Sequence, residues 1–224
     1  RYRNYDCGIH RLFQEQKREI VMEKEAYTRC LKETFAIEAE CLREGAAAVD
    51  MDEFEKAVKL LAEAPKIGAS GCGHSGIACR DFAHLMCCIE RPARFISPAE
   101  AVHGATGFLE EGDAMLFLSR GGKTGELLPI LDICKKKKVH VITVTENPQS
   151  PLAQNADAVL KMHITRETDR YNSQGTTSTT AAMVIFHALQ AALIEETGFR
   201  NESFALIHPG GAMGEKLKKE FEVH

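Results

Sequence analysis

The chain has 224 residues, of which 44% are hydrophobic and 27% are charged, and its net charge at pH 7 is -4. This composition is typical of an ordinary globular protein with one sizeable core, and it excludes a disordered or fibrous chain. The balance of 28 basic against 32 acidic residues gives no reason to expect nucleic acid or a membrane surface as a partner.

The first 64 residues are rich in Glu, Lys, Arg, Ala and Leu and contain no proline. They predict an N-terminal helical extension over residues 1–64. It consists of a long helix that begins near Leu12 and a second helix over residues 52–63. Asp50 or Asp52 is the expected cap of the second helix. The long helix must place its apolar face on another surface, such as that of a partner subunit.

The rest of the chain, residues 65–224, alternates between strand and helix patterns. The predicted strands are Lys66–Ser70, Ala93–Ser97, Ala114–Ser119, His140–Thr145 and Ala158–Met162. The predicted helices are Gly76–Ile89, Gly125–Lys137 and Thr179–Glu196. Continuous apolar strands and this alternation predict an α/β domain with a doubly wound, five-stranded parallel sheet flanked by helices. Ligands bind at the carboxyl ends of such strands, so the loops there are the candidate sites.

The loop after the first predicted strand, Gly71–Gly76, is rich in glycine and opens a helix. Glycines allow close approach of the backbone to an anion, and the helix start offers unpaired N–H groups. His74 and Ser75 are its candidate ligand-binding side chains. A dinucleotide site is a weaker interpretation, because the acidic residue at the expected spacing is Glu90, which does not end the next predicted strand. A turn that only joins strand to helix is the other alternative.

Two later loops also combine hydroxyl groups with a helix start. Residues 119–126 read Ser-Arg-Gly-Gly-Lys-Thr-Gly-Glu, without Walker A spacing, and residues 176–180 read Thr-Thr-Ser-Thr-Thr. Backbone amides, hydroxyls and a cation suit a bound phosphate, although helix capping alone is the simpler explanation of the second cluster. The expected binding residues in these loops are Ser119, Gly121, Gly122, Lys123, Thr124, Thr176, Thr177, Ser178 and Thr179.

The eight cysteines show neither a disulfide framework nor a zinc site. Cys87 and Cys88 are adjacent, others fall in helical patterns, and no CxxC or HExxH motif occurs. We find no signal peptide and no apolar run near 18 residues. The sequence therefore predicts a cytoplasmic protein with no membrane segment, no metal and no cofactor.

Six stretches, taken in order, resemble a SIS (sugar isomerase) domain, closest to its arabinose-5-phosphate isomerase branch. They are Gly71–Gly76, Pro98–Gly104, Ser119–Glu126, Thr143–Asn147, Thr176–Thr180 and His208–Gly211. The resemblance implies a doubly wound fold and a homodimer or homotetramer with its site at subunit contacts. It also implies that the Ser/Thr loops hold a phosphorylated sugar. The tandem CBS domains of many relatives are not expected here.

The resemblance further implies that an aldose phosphate and a ketose phosphate are interconverted by moving a proton between C1 and C2 through a cis-enediol. Glu167 matches a carboxylate of the family site, while His103 and His208 match its histidines. We expect Glu167 or His208 to transfer the proton, and His103 to orient the sugar or open its ring.

Two residues depart from the family pattern. His74 replaces the usual Lys, and Lys123 replaces the usual Glu, which is a local exchange of charge. The segment 170–175 also differs from the usual one. The exchanges at His74 and Lys123 favour an alternative, a regulatory domain that binds a sugar phosphate without catalysis. The retained Glu167, His103 and His208, and the lack of a helix-turn-helix signature in the N-terminal helices, favour the enzyme. Another SIS activity, such as that of a hexulose-phosphate isomerase or an amino-sugar enzyme, is a further alternative.

Overall fold

A computed structural model of the protein describes residues 23–221. The chain divides into two compact units, the first ending at Ala36 and the second beginning at Ile37. The predicted helix start near Leu12 lies outside the described residues. The predicted domain boundary after residue 64 stays a prediction.

Five strands and eight α-helices make up the described part of the chain. The strands are β1 (Ile67–Ser70), β2 (Ala93–Phe95), β3 (Ala114–Leu118), β4 (His140–Thr145) and β5 (Ala158–Lys161). The helices are α1 (Lys24–Ala48), α2 (Met51–Glu63), α3 (His74–Cys88), α4 (Pro98–Ala101), α5 (Leu128–Lys137), α6 (Thr177–Thr197), α7 (Asn201–Ile207) and α8 (Gly211–Phe221). Two short 3-10 helices are Ala105–Phe108 and Ala153–Asn155.

The strands form one parallel sheet in the order β2-β1-β3-β4-β5. This confirms the predicted doubly wound, five-stranded sheet. The chain runs outward from β1 to β2, then returns past β1 to build β3, β4 and β5 on the other side. The strand order therefore reverses between β1 and β3, which is where ligands bind in such sheets.

Both faces of the sheet are covered, as the continuous apolar strands predicted. In β3, Leu116 and Leu118 belong to one core cluster, and Met115 and Phe117 belong to the other. Helices α2, α3 and α6 contribute to the first cluster. Helix α5 contributes to the second. The loops at the carboxyl ends of the strands therefore lie between two layers of helices.

The ends of the elements follow local hydrogen bonds. Asp50, one of the two predicted caps, accepts hydrogen bonds from the amides of Asp52 and Glu53 at 2.9 and 3.2 Å and begins α2. Helix α5 starts later than predicted, because residues 124–127 form a separate turn in which the Leu127 amide donates to the Thr124 carbonyl at 3.0 Å. Helices α7 and α8 were not predicted.

Helix α6 corrects one expectation. Of the helices in residues 23–221, it alone is long and apolar enough, by length and composition, to cross a membrane. We expected no apolar run of about 18 residues in this sequence. Its Phe186, Leu189 and Leu193 are fully buried in the first core cluster. Those contacts are typical of a core helix.

Candidate active site

Three loops meet at the carboxyl edge of the sheet, where the strand order reverses. They are residues 71–73 before α3, residues 119–127 before α5, and residues 162–176 before α6. A cavity of about 150 Å³ is bordered by all three. Its lining consists of Cys72, His74, Ser75, Leu118, Arg120, Met162, Gly175, Ser178 and Thr179. Four predicted site residues therefore share one cavity.

A larger cavity of about 760 Å³ lies next to the smaller one, and Cys72 lines both. The predicted His103 lines the larger cavity together with Arg80 and Glu126. The Arg80 guanidinium lies over the Phe95 ring, 4.0 Å from its centroid. Burial, and then the charge of Glu126, raise the pKa of the Cys72 thiol. The Cys72 side chain, which lines both cavities, is therefore an uncharged thiol near pH 7.

Glu167 is the buried carboxylate at this edge, and only 1% of the residue is exposed. Its Oε1 accepts a hydrogen bond from Nη1 of Arg120 at 2.7 Å. Its Oε2 accepts from the Thr176 hydroxyl and the Ser178 amide, both at 3.2 Å. The Glu167 amide donates to Oδ1 of Asn172 at 2.7 Å. The carboxylate therefore lies at the N-terminus of α6, where unpaired N–H groups favour an anion.

The loop that carries Glu167 is shaped by Asp169. The Asp169 carboxylate accepts hydrogen bonds from the amides of Tyr171, Ser173 and Gln174 at 2.8, 3.0 and 2.9 Å. These bonds, that from Gln174 above all, lower the pKa of Asp169. The Asp169 carboxylate therefore fixes the part of the loop that follows Glu167, while Met162 and Ile164 at the start of the loop are buried in the first core cluster.

Arg120 is a site residue that the sequence did not predict. Its guanidinium bridges two carboxylates, with Nη1 2.7 Å from Oε1 of Glu167 and Nε 2.8 Å from Oε2 of Glu146. Its carbonyl oxygen accepts hydrogen bonds from the Thr145 hydroxyl at 2.9 Å and the Glu146 amide at 3.0 Å. The sequence signal for Arg120 was its position as a cation beside the glycine pair. Lys123 flanks the same pair at a position of the family site, and it was predicted instead.

The loop after β3 is built around Gly122. Its φ is +65°, and a Cβ there would lie 1.9 Å from Oγ of Ser150. Ser119, which is buried, accepts a hydrogen bond from the Gly122 amide at 3.1 Å. The hydroxyls of Ser119 and Thr124 are 2.9 Å apart, and either can donate. These groups therefore maintain the shape of the loop.

The predicted residues of this loop lie outside the two cavities. Gly121 and Lys123 are exposed to solvent. None of Ser119, Gly121, Gly122, Lys123 and Thr124 lines either cavity. Their part in binding stays a prediction.

The hydroxyl cluster at the start of α6 divides into different environments. Thr176 and Ser178 bind the buried carboxylate described above. The Thr179 hydroxyl donates to the Gly175 carbonyl at 2.5 Å, and Thr179 lines the smaller cavity. Thr177 is fully buried, and its hydroxyl has no hydrogen-bond partner within residues 23–221. Only part of the cluster is thus available to a ligand.

Helix α3 begins with an uncapped N-terminus. Its N-cap, Gly73, has φ +56° and no side chain with which to cap the helix. His74 and Ser75 form its first turn and line the smaller cavity. The His74 ring lies against Gly175, where an added Cβ would be 3.3 Å from Cδ2 of the ring. A cavity-facing helix start without a cap can donate hydrogen bonds to an anion.

The structure does not bring the three predicted catalytic residues together within one chain. His208 follows α7 and packs on Phe204, with ring centroids 4.8 Å apart. Its Nδ1 is buried and has no hydrogen-bond partner within the described residues. His208 lines neither cavity, while His103 lines the larger one. No group of three or more His, Cys, Asp and Glu residues in the described chain could hold a metal ion.

Comparison with known proteins agrees with this architecture. The SIS domain family matches residues 60–192, which is more than half of the chain. An arabinose 5-phosphate isomerase KdsD from Francisella tularensis is 34% identical over 189 residues, which are 83% of this chain and 58% of that protein. The Pseudomonas aeruginosa protein of the same name is 38% identical over 172 residues, or 76% of this chain and 53% of that protein. The chain thus spans little more than half the length of these relatives.

Solved structures are similar over most of the chain. A candidate sugar-phosphate isomerase from Listeria monocytogenes has a TM-score of 0.81 and 37% identity, covering 84% of this chain and all of that one. An Escherichia coli protein solved in complex with a phosphorylated sugar has a TM-score of 0.76 and 28% identity, and also covers 84% of this chain and all of that one. Because the family match exceeds half of the chain, and because the sheet and its loops have the expected arrangement, this protein belongs to the SIS domain family.

Proposed function

We propose that the protein is a sugar-phosphate isomerase that interconverts an aldose phosphate and a ketose phosphate. The observation that carries the proposal is the buried Glu167 carboxylate, which binds Arg120 and Ser178, two residues that line the smaller cavity beside the point where the strand order reverses. The match to relatives named arabinose 5-phosphate isomerases supports it. Arabinose 5-phosphate is therefore the first substrate to test.

The proposed reaction needs a group that moves a proton between C1 and C2, and groups that handle the oxygen atoms. We assign the proton transfer to Glu167. His74 lines the smaller cavity, where its imidazole can donate a hydrogen bond to a sugar oxygen. A ligand in this cavity would also contact Arg120 and Ser178, which bind Glu167, although Glu167 does not itself line the cavity.

The phosphate group has a natural position at the start of α3. Ser75 and Thr179 line the cavity there, and α3 has no side-chain cap. The start of α6 is less suitable, because the Glu167 carboxylate already accepts hydrogen bonds from Thr176 and Ser178. We keep Thr124, whose hydroxyl lies 2.9 Å from that of Ser119, as a proposed phosphate ligand, although it lines neither cavity.

His208 and His103 enter the proposal through a second subunit. His208 lines neither of the two described cavities, so a homodimer or homotetramer would have to bring it to the site of a neighbour. His103, at the larger cavity, would then orient the sugar or open its ring. We also propose a cytoplasmic location, which the free state of all seven cysteines in the described residues supports.

A second candidate function is a sugar-phosphate sensor that binds without catalysis. One observation favours it. Both oxygens of the Glu167 carboxylate are already engaged by Arg120, Thr176 and Ser178, which is also what a purely structural carboxylate would show. The two candidates agree on the ligand and differ only in turnover.

Replacing Glu167 by Gln tests the proposal, since the change keeps the size of the side chain and removes the proton acceptor. With arabinose 5-phosphate as substrate, we expect turnover to fall by about 10²–10⁴, the range for a lost general base. Affinity measured by calorimetry should change little. A wild-type protein that binds pentose and hexose phosphates but converts none of them would be a sensor.

A further inference from the structure

The ion pair between Arg120 and Glu167 joins a buried group to a half-exposed one. The Glu167 side chain is 2% exposed and the Arg120 side chain 42% exposed. Burial of a carboxylate is costly unless the charge is paired. The other donors to this carboxylate, from Thr176 and Ser178, are neutral. Arg120 therefore supplies the charge that allows Glu167 to remain buried.

Arg120 is itself fixed through both its side chain and its backbone. Glu146, directly after β4, accepts a hydrogen bond from the guanidinium at 2.8 Å and donates one to the Arg120 carbonyl at 3.0 Å. Thr145 donates a second hydrogen bond to that carbonyl at 2.9 Å. Since the planar guanidinium is preorganised, little further freedom is lost when it binds a carboxylate. The charged groups around the pair include Glu146, which binds Arg120, and Arg166, whose Nε donates a hydrogen bond to the Glu167 carbonyl at 3.4 Å. The His74 ring lines the same cavity as Arg120.

We propose that Arg120 is a positioning residue for the isomerase reaction, which holds the Glu167 carboxylate in place beside the smaller cavity; Arg120 lines that cavity and Glu167 does not. This inference rests on the proposed function, in which Glu167 accepts the proton. A buried carboxylate needs a paired charge and satisfied hydrogen bonds to keep its position. Without Arg120, the carboxylate would lose its charged partner and turn away from this position. The proton acceptor would then be misplaced.

The first test compares Arg120→Gln and Arg120→Lys with wild type, using arabinose 5-phosphate. Arg120→Gln should lower kcat about 100-fold, the scale of a misplaced catalytic group, and change KM by less than about threefold. Arg120→Lys should recover part of kcat, since it restores the charge without the fork that bridges both carboxylates.

Arg200→Gln is the matched control. It removes another guanidinium from an Arg–Glu pair, with Glu202 at 2.6 Å, but this pair is exposed and lines neither cavity. We expect its kcat and KM to equal those of wild type. The control separates the loss of this particular ion pair from a general effect of the substitution.

The second test does not depend on activity. Urea unfolding of Arg120→Gln, Glu167→Gln and the double variant measures whether the two side chains act as a unit. We expect the double variant to be no less stable than Arg120→Gln alone, because a neutral residue 167 no longer needs the cation. If the wild-type protein converts no sugar phosphate, the proposed function fails. The unfolding measurements on the single and double variants still test whether Arg120 and Glu167 act as a unit. Additive losses of stability, or an Arg120→Gln enzyme with wild-type kcat, would overturn the inference.

Discussion

Gly122 is the residue on which the loop after β3 depends most directly. Its φ of +65° strains any other residue, and an added Cβ would lie 1.9 Å from Oγ of Ser150. We expect Gly122→Ala to lower the free energy of unfolding by about 3 kcal/mol and to disturb the hydrogen bond to Ser119. Gly121→Ala is the control, because the nearest atom to a Cβ there is 3.9 Å away. Urea unfolding that gave equal losses for the two variants would contradict this account.

Single residues also show where sequence reasoning stops. Glu167 could be singled out from the sequence as a candidate site residue, because the resemblance matched it to a family carboxylate. Its partners could not, because Arg120 lies 47 positions before it and meets it only in the folded sheet. Local pattern favoured Lys123, yet that side chain is exposed and the neighbouring cation makes the contact. The geometry of the loop decides which cation faces the site. The composition of the loop carries no information about that geometry.

At the scale of elements, α6 links the core to the site, since its first turn binds Glu167 and its middle packs on α3. Phe186 of α6 and Phe82 of α3 are fully buried, with ring centroids 4.9 Å apart. We expect Phe186→Ala to lower the free energy of unfolding by about 3–5 kcal/mol. Val184→Ala, on the same helix at a position 42% exposed, should cost less than about 1 kcal/mol. Similar losses for the two, measured in urea, would show that α6 is not anchored as described.

The elements were the most predictable level of the structure. Continuous apolar runs marked β3 and β4, and β4 has the predicted ends. The other strands differ from the prediction by one or two residues at an end, where the chain passes into loops. Helix starts were harder, because α3 and α6 begin in residues without an ordinary side-chain cap. Glycine and threonine patterns located these loops but did not specify their first helical residue.

At the scale of the whole molecule, the apolar stripe on α1 leads to a prediction about assembly. Tyr27, Leu31 and Phe35 are four residues apart on the helix and are 60%, 61% and 72% exposed. Three large apolar side chains on one helix face are typical of an interaction surface. We expect a homo-oligomer, with a mass by light scattering that is a multiple of 24.8 kDa.

The variant Leu31→Glu/Phe35→Glu should shift that mass toward the monomer, since it places charge on the stripe. Lys32→Glu is the control, because it adds negative charge elsewhere on the same helix. A wild-type mass of 24.8 kDa at micromolar concentration would contradict the prediction, and with it the proposed role of a neighbour's His208.

The measurement that tests the central claim most directly is solvent exchange at C2 of arabinose 5-phosphate in deuterated water, followed by NMR. An isomerase that moves a proton through a cis-enediol must exchange the C2 proton with solvent, at least in part, as it interconverts aldose and ketose. The account predicts deuterium at C2 with the wild-type protein and almost none with Glu167→Gln. A wild-type protein that binds the sugar phosphate, as calorimetry would show, and leaves its C2 proton in place would contradict it.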